Sequence, residues 1–345
     1  EDMIDFQGIT VYRVKQPNTL HRFLNILTLK LLSKPILWLL QSLAVSKKIN
    51  KIAKEQEIDI IQYASYKAIG FFRHKKITSL VRISSIELLW RKELGHKIRL
   101  KDRVLNFLEM RAIAKSDKVF GPSRLLASKV EQYIGTKVDV VVTPFELLNI
   151  SYDTSVLDTL SKAKYLLFFG SVNRLKGIDL IASILEEVLA IDPELHFVFV
   201  GKEAKIDGMK SYQMIKEGAG EFLSRVHIFE PLQHSQLYPI VKAAEAVVLP
   251  SRIDNLPNTA LESMGLSQIV IGARGASFDE IIEDNVNGLL FDKEDTNMLR
   301  ESITKVIQMS EDKHQALKEG AFERSKAYSP DTVVKTLEKY YASNK

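Results

Sequence analysis

Two loops of this chain hold cations, carboxylates and glycines at spacings that suit an anionic ligand also carrying hydroxyl groups. The first runs Phe168-Phe169-Gly170-Ser171-Val172-Asn173-Arg174-Leu175-Lys176-Gly177, between an apolar strand-like run and a helical pattern. Gly170 permits close backbone approach, and a helix beginning near Gly177 offers free N–H groups. With Arg174 and Lys176 at the same strand end, this is an anion site. The same residues also fit an ordinary strand-to-helix loop with solvated charges. The second loop runs from Val248 through Pro250, Ser251, Arg252, Ile253, Asp254, Asn255, Leu256 and Pro257 to Glu262. Pro257 is a favoured first-turn residue, and the amides of Asn258 and Thr259 then face any phosphate placed on the helix axis. Glu262, about one turn further in, suits the hydroxyls of a ribose, and Asp254 on the loop suits those of a sugar. Alternatively, Asp254 or Asn255 caps the helix and Glu262 is a surface acid.

The elements that would position these loops follow from the pattern of apolar residues. Strand-like runs at Ile9–Val14, Ile58–Gln62, Ser79–Ile83, Lys118–Phe120 and Val138–Val142 are mostly separated by helical stretches. The rhythm resumes at Tyr165–Gly170, Leu195–Gly201, Arg225–Phe229, Ala246–Pro250 and Gln268–Gly272, with helices between. Near-continuous apolar strands alternating with helices predict parallel sheets buried on both faces, and two such blocks predict two doubly wound domains. The length of 345 residues agrees with two domains.

Composition narrows the function. With 46% hydrophobic and 26% charged residues the chain is neither disordered nor a multi-pass membrane protein. It has no cysteine, which excludes thiol catalysis, disulfides and Cys-ligated zinc. Residues 1–150 hold 26 Lys and Arg against 14 Asp and Glu, while the remainder holds 22 against 29. A basic front half suits membrane headgroups or a phosphate-bearing ligand, and equally a merely Lys-rich soluble domain. Nucleic acid is the weaker partner, because no zinc-finger, basic-zipper or RNP-type signature is present. Leu20–Ile52 is apolar at helical spacing with six interspersed cations, and Pro35 starts a second helix within it. It reads as a peripheral interfacial helix or as core-facing helices with snorkelling lysines, and is too interrupted to span a bilayer. No secretory signal opens the chain. Walker A, nucleophile-elbow and GxGxxG patterns are absent, and no histidines pair at i, i+4 for a metal.

Four segments carry a resemblance to the retaining family-4 glycosyltransferases of the GT-B fold (glycosyl transferases group 1). They are FGSVNRLKG at 169–177, FVFVGKE with RVHIFEPLQHSQLYPIVKAAEAVVLPS, DNLPNTALESM at 254–264, and GARGASFDEIIEDNVNGLLF at 272–291. The resemblance implies two Rossmann-like domains facing a cleft, a first over 1–147 joined by a last helix at 330–345, and a donor domain over 148–329. It implies that Lys176, with Arg174, meets the donor diphosphate, Asp254 the sugar and Glu262 the ribose. Gly170, Ser171, Gly201, Phe229, Leu232, Asn255, Leu256, Pro257, Asn258 and Thr259 complete the donor site. On the acceptor side Ser84, Ser85, Glu87, Ser123 and Arg124 stand at the corresponding places.

Three departures from the family pattern stand out. Ser171 occupies a position usually held by Arg, Asp254 one where Glu is commoner, and the opening strand and glycine-rich loop have no counterpart before Gly8. The first domain is therefore expected to be incomplete at its start. The implied reaction is sugar transfer from a nucleoside-diphosphate sugar to a hydroxyl with retention, needing no cofactor and no metal. Its acceptor is a saccharide or lipid-linked saccharide, in cell-surface polysaccharide or glycolipid assembly, at a cytoplasmic location with peripheral membrane contact. The rival readings are a non-catalytic GT-B-like binding subunit and a sugar-nucleotide epimerase or phosphorylase.

Overall fold

Runs such as Tyr165–Phe169 and Phe197–Val200, buried at every position, can satisfy both faces only inside a sheet covered by helices on each side. The computed structural model describes residues 3–15, 33–160 and 163–345. The chain divides into two compact units, Glu1–Val141 with Thr336–Lys345, and Val142–Lys335.

The first unit opens with β1 (Met3–Phe6) and β2 (Ile9–Tyr12), then a long helix, Ser33–Glu55. A four-stranded sheet follows, made of β3 (Ile60–Ala64), β4 (Thr78–Arg82), β5 (Lys118–Gly121) and β6 (Asp139–Val140), parallel throughout and in sequential order. Helices Glu87–Glu93, Leu100–Ala114 and Arg124–Ile134 connect its strands. The helix Pro330–Ala342 begins in the second unit and ends on this sheet. There Leu337, Tyr340 and Tyr341 pack on Leu80, Phe120 and Val141. Tyr340 donates to Asp139 at 3.1 Å, which ties the polar end of the ring as well.

One expectation changes here. Ile9–Val14 reads as a strand of the wound sheet, yet Ile9–Tyr12 pairs antiparallel with Met3–Phe6 and, among the described residues, with no other strand. Gln7 and Gly8 both adopt positive φ, 52° and 80°, the geometry of a two-residue hairpin turn. In the Leu20–Ile52 segment, residues 20–32 lie outside the described residues. The described part is one helix from Ser33, with Pro35 in its first turn, and its Ser42 hydroxyl is spent on Ile69 and Phe72. Among the described residues no helix is long and apolar enough to cross a membrane.

The second unit is built on a six-stranded parallel sheet. Its strands are β7 (Lys164–Phe169), β8 (Leu195–Val200), β11 (Val226–Phe229), β12 (Ala246–Leu249), β13 (Val270–Ala273) and β14 (Leu289–Phe291); a small hairpin, β9 (Lys205–Ile206) with β10 (Met209–Lys210), branches off after β8. Across the sheet the order is β11-β8-β7-β12-β13-β14. Sequence order thus runs outward one way from β7 and then reverses from β12, so the switch point lies between β7 and β12. In open wound sheets ligands bind at the carboxyl ends of the strands flanking that point.

At the opposite end of the sheet, His196 on β8 and His227 on β11 stack with ring centroids 5.1 Å apart and facing nitrogens at 2.8 Å. One imidazole must donate and the other accept, so the contact is lost when both rings are protonated. Burial pushes both below the usual imidazole range, with the Arg225 charge adding to it at His196 and the His196 charge at His227. The unfolded chain then binds more protons than the native one, so stability is retained above the ordinary histidine range and lost as pH falls through it. Urea unfolding from about pH 7.5 to about pH 5.5 should show a falling midpoint, and His227→Gln should flatten that profile.

Candidate active site

The loops singled out by their chemistry are those leaving β7 and β12, the two strands at the switch point. Their contact is made by backbone. A Cβ on Gly177, whose φ is 73°, would stand 2.0 Å from the Pro250 carbonyl oxygen. A Cβ on Gly201 would stand 1.7 Å from the Gly170 carbonyl oxygen, so the ends of β7 and β8 also close on each other. Over Gly170 lies the Thr259 methyl group, 3.8 Å from where a Cβ would be. Glycine at 177 and 201 is a steric requirement, and it brings the helix Asn258–Gly265 onto the first loop.

A buried guanidinium holds the same two loops together. Arg252, 5% exposed, donates to Asp179 at 2.6 and 2.8 Å, to Glu294, and to the Arg174 carbonyl at 2.6 Å. Its own amide donates to Leu175 at 2.8 Å. Two carboxylates and a carbonyl thus hold one fork-shaped cation, which fixes the turn 174–176 beneath the site. Arg252 carries no motif of its own, and only its place after an apolar strand could have drawn notice.

Within this frame Lys176 and Asp254 meet, the ammonium donating to the carboxylate. Both are largely shielded, with side chains 26% and 13% exposed. The Lys176 amide is held by the Asn173 side chain at 3.0 Å, while Asp254 accepts from the Asn255 amide at 2.9 Å. Ser277, buried and left-handed at φ 68°, donates to the Asp254 carbonyl at 2.9 Å and anchors the loop from β13. Arg174 behaves differently from Lys176. Its guanidinium pairs with Asp207 on the turn of the β9–β10 hairpin and lies 3.9 Å from Asp179. Arg174, expected to meet the donor diphosphate beside Lys176, is therefore already engaged, and Ser171 is exposed.

Pro257 caps the helix Asn258–Gly265, its carbonyl accepting from Ala260 at 2.9 Å and Leu261 at 3.2 Å. Among the described residues no acceptor meets the amides of Asn258 and Thr259, the first two of that helix. Leu256 faces inward, into the core of the unit. Glu262, one turn on, is raised above the usual carboxylate range by burial, against the pull of His234. His234 Nε2 lies 3.7 Å from Glu262 Oε1, at the start of the helix His234–Ala243. This histidine lies inside the RVHIFEPLQHSQLYPIVKAAEAVVLPS segment but was given no role from sequence, because its partner stands 28 residues away. Gly201 donates to the Phe229 carbonyl at 3.0 Å, and its own carbonyl accepts from Tyr212. Burial and the charge of Glu230 push the Tyr212 hydroxyl up to about 12. Phe229 and Leu232 lie half-buried at this edge. No group of three or more His, Asp or Glu able to hold a metal occurs among the described residues.

In the first unit, Ser84, Ser85 and Glu87 follow β4, and Ser123 and Arg124 follow β5. Ser65 links the first pair, accepting from the Ser84 amide at 3.2 Å and donating to the Ser85 carbonyl at 3.4 Å. Glu87 pairs with Arg91 at 3.7 Å. Ser123 is fully buried, and its hydroxyl caps the helix Arg124–Ile134 by accepting from Leu126. Sequence reasoning also missed Glu109, buried nearby and accepting from the Lys67 amide at 3.0 Å. Burial, with Glu87 adding to it against that amide, pushes its carboxyl up to about 7.

Three consequences are measurable. Arg252→Ala leaves Asp179 and Glu294 without their counter-charge and should cost about 3 kcal/mol in urea unfolding. Gly201→Ala should cost about 2–4 kcal/mol by the same assay, because the clash is with backbone. For Glu109 the native carboxyl holds its proton longer than the unfolded one, so its contribution is present below the ordinary carboxylate range and lost as pH rises toward 7. Glu109→Gln should therefore stabilise the protein by roughly 2–3 kcal/mol at about pH 8 and little at about pH 4.5.

Comparison with known proteins bears on the same loops. The family model described as Glycosyl transferases group 1 matches residues 155–324. An uncharacterized glycosyltransferase of Methanocaldococcus jannaschii is 24% identical over 231 residues, covering 67% of this chain and 60% of that protein. Among solved structures, sucrose-phosphate synthase from Thermosynechococcus elongatus aligns over 99% of this chain and 85% of its own, with a TM-score of 0.73 at 14% identity. Anabaena HepE, solved in complex with UDP and glucose, gives a TM-score of 0.66 at 17% identity over 86% of this chain and 81% of its own. Residues 155–324 are thus similar in sequence to glycosyl transferases group 1, and the chain has the α/β GT-B fold, with two Rossmann-like units.

Proposed function

We propose that the protein is a glycosyltransferase that moves a sugar from a nucleoside-diphosphate sugar to a hydroxyl acceptor, with retention and without a metal. One arrangement carries this reading: at the switch point of the second unit, Lys176, Asp254, Glu262 and the open amides of Asn258 and Thr259 stand on two loops locked together by backbone contact. Anabaena HepE, of similar fold, was solved with UDP and glucose, which supports a donor of this class.

In the reaction the bond between the anomeric carbon and the diphosphate oxygen breaks, and the acceptor oxygen bonds to that carbon on the same face. The acceptor proton passes to the departing phosphate oxygen. Negative charge grows on the diphosphate, where Lys176 and the two helix amides oppose it. Before the donor arrives, Lys176 is neutralised by Asp254. A diphosphate carries more charge than one carboxylate, so it draws Lys176 away and frees Asp254 to accept from sugar hydroxyls. Glu262, steadied by His234, accepts from the ribose, and Phe229 and Leu232 border the base. Ser84, Ser85, Glu87 and Arg124 serve the acceptor, a saccharide or lipid-linked saccharide in polysaccharide or glycolipid assembly at the cytoplasmic face of a membrane.

A second reading, a nucleotide-sugar-binding subunit without catalysis, is favoured by Ser171 and by the engagement of Arg174 with Asp207. Release of nucleotide from UDP-, GDP- and ADP-sugars separates the two. Lys176→Ala and Glu262→Ala should each lower turnover by about a hundredfold, and Arg174→Ala by less than about fivefold. Full activity in folded Lys176→Ala and Glu262→Ala would refute the site. Tight nucleotide binding with no turnover of any sugar would favour the binding subunit.

A further inference from the structure

The helix Leu100–Ala114 in the first unit turns an unusual face outward. Leu100, Arg103, Phe107 and Arg111 fall on one stripe at helical spacing, and Leu100 and Phe107 are 63% and 64% exposed. Both acids of this helix, Asp102 and Glu109, are buried. The stripe therefore carries large apolar groups and cations with no carboxylate among them. It continues into a groove of about 860 Å³ lined by Phe71, Phe72, Arg73, Lys75, Lys76 and Lys115, among others. Lys115 stacks over Phe71 at 3.9 Å and lies within the field of Arg111, Arg73 and Lys75. Phe72 beside them is 39% exposed.

Within this group Arg73 meets a carboxylate, Asp117, at 3.5 Å. No ion pair reaches Arg111, Lys75, Lys76 or Lys115 among the described residues. The groove precedes β4 and β5, at the amino ends of the sheet, away from the carboxyl-end loops that hold Ser84 and Arg124. Like charges crowded beside exposed aromatic and aliphatic groups are complementary to a surface that is both polyanionic and partly apolar.

We propose that this face, Leu100–Arg111 with the Phe71–Lys76 turn, docks on an anionic phospholipid surface. The cations would meet headgroup phosphates while Leu100, Phe107 and Phe72 enter the acyl boundary. Such docking fits the lipid-linked acceptor proposed above, but it does not depend on donor chemistry.

The test is sedimentation with phosphatidylcholine vesicles with or without about one-third phosphatidylglycerol, at about 0.05 M and 0.5 M salt. Wild-type protein should bind only the anionic vesicles at low salt. The triple variant Lys75→Gln, Lys76→Gln, Arg111→Gln should lose about tenfold in partitioning, and Phe107→Ser at least about threefold. Removing the same charge from the second unit, by Lys216→Gln, Lys313→Gln and Lys318→Gln, should leave binding unchanged. Failure of wild type to bind at low salt, or equal binding by the triple variant, would overturn the proposal. So would a dimer in sedimentation velocity that Phe107→Ser dissociates, since a second copy would then be what covers the face. Circular dichroism and urea unfolding show that each variant is folded, and nucleoside-diphosphate titration keeps the two questions apart. Vesicle binding without nucleotide binding would leave the docking face standing and remove the donor reading.

Discussion

The second unit's site depends on how closely two strand-to-helix loops can approach at the switch point of one sheet. Gly177 lies against the Pro250 carbonyl and Gly201 against that of Gly170, at separations no side chain would allow. Beneath them Arg252 draws Asp179, Glu294 and the Arg174 carbonyl onto one buried cation. These contacts turn two separate loops into one rigid floor. Lys176, Asp254 and the first turn of the helix Asn258–Gly265 owe their relative positions to it, and rigid placement is what lets charges act without reorganising.

The two cations nearest that floor, Lys176 and Arg174, are each paired with a carboxylate. Lys176 faces Asp254, Arg174 faces Asp207, and Glu262 has His234 within 3.7 Å. The first-turn amides are the groups left open, and they are dipoles rather than charges. Under the proposed donor binding, a polyanion meets donors already aimed outward and one lysine that can exchange a weaker partner for a stronger one.

Much of this was legible in the sequence because it is periodic or local. The unbroken apolar runs from Tyr165 and from Ala246 announce buried parallel strands, and their ends locate both loops to within a residue or two. Pro257 and the Asp254–Glu262 spacing mark the helix start and its carboxylates. What escaped is non-local. Arg252, His234 and Tyr212 act through partners many residues away, and nothing in their neighbours distinguishes them from surface residues. The Arg174–Asp207 pair depends on a hairpin that two-residue strands do not advertise. Ile9–Tyr12 misled for the opposite reason: its β-branched residues do form a strand, but the Gln7–Gly8 turn sends it into a hairpin. Glu109 was hidden by helical context, since burial rather than residue type raises its carboxyl.

The measurement that bears most directly on this account is amide hydrogen exchange, with and without a saturating nucleoside diphosphate. The account predicts new protection confined to the second unit, at the amides of Asn258 and Thr259 and in the turn from Asn173 to Gly177. The strand ends at Gly201 and Phe229 should change by less. Binding that leaves the Asn258 and Thr259 amides exchanging at their original rates would contradict it, because the diphosphate would then lie elsewhere.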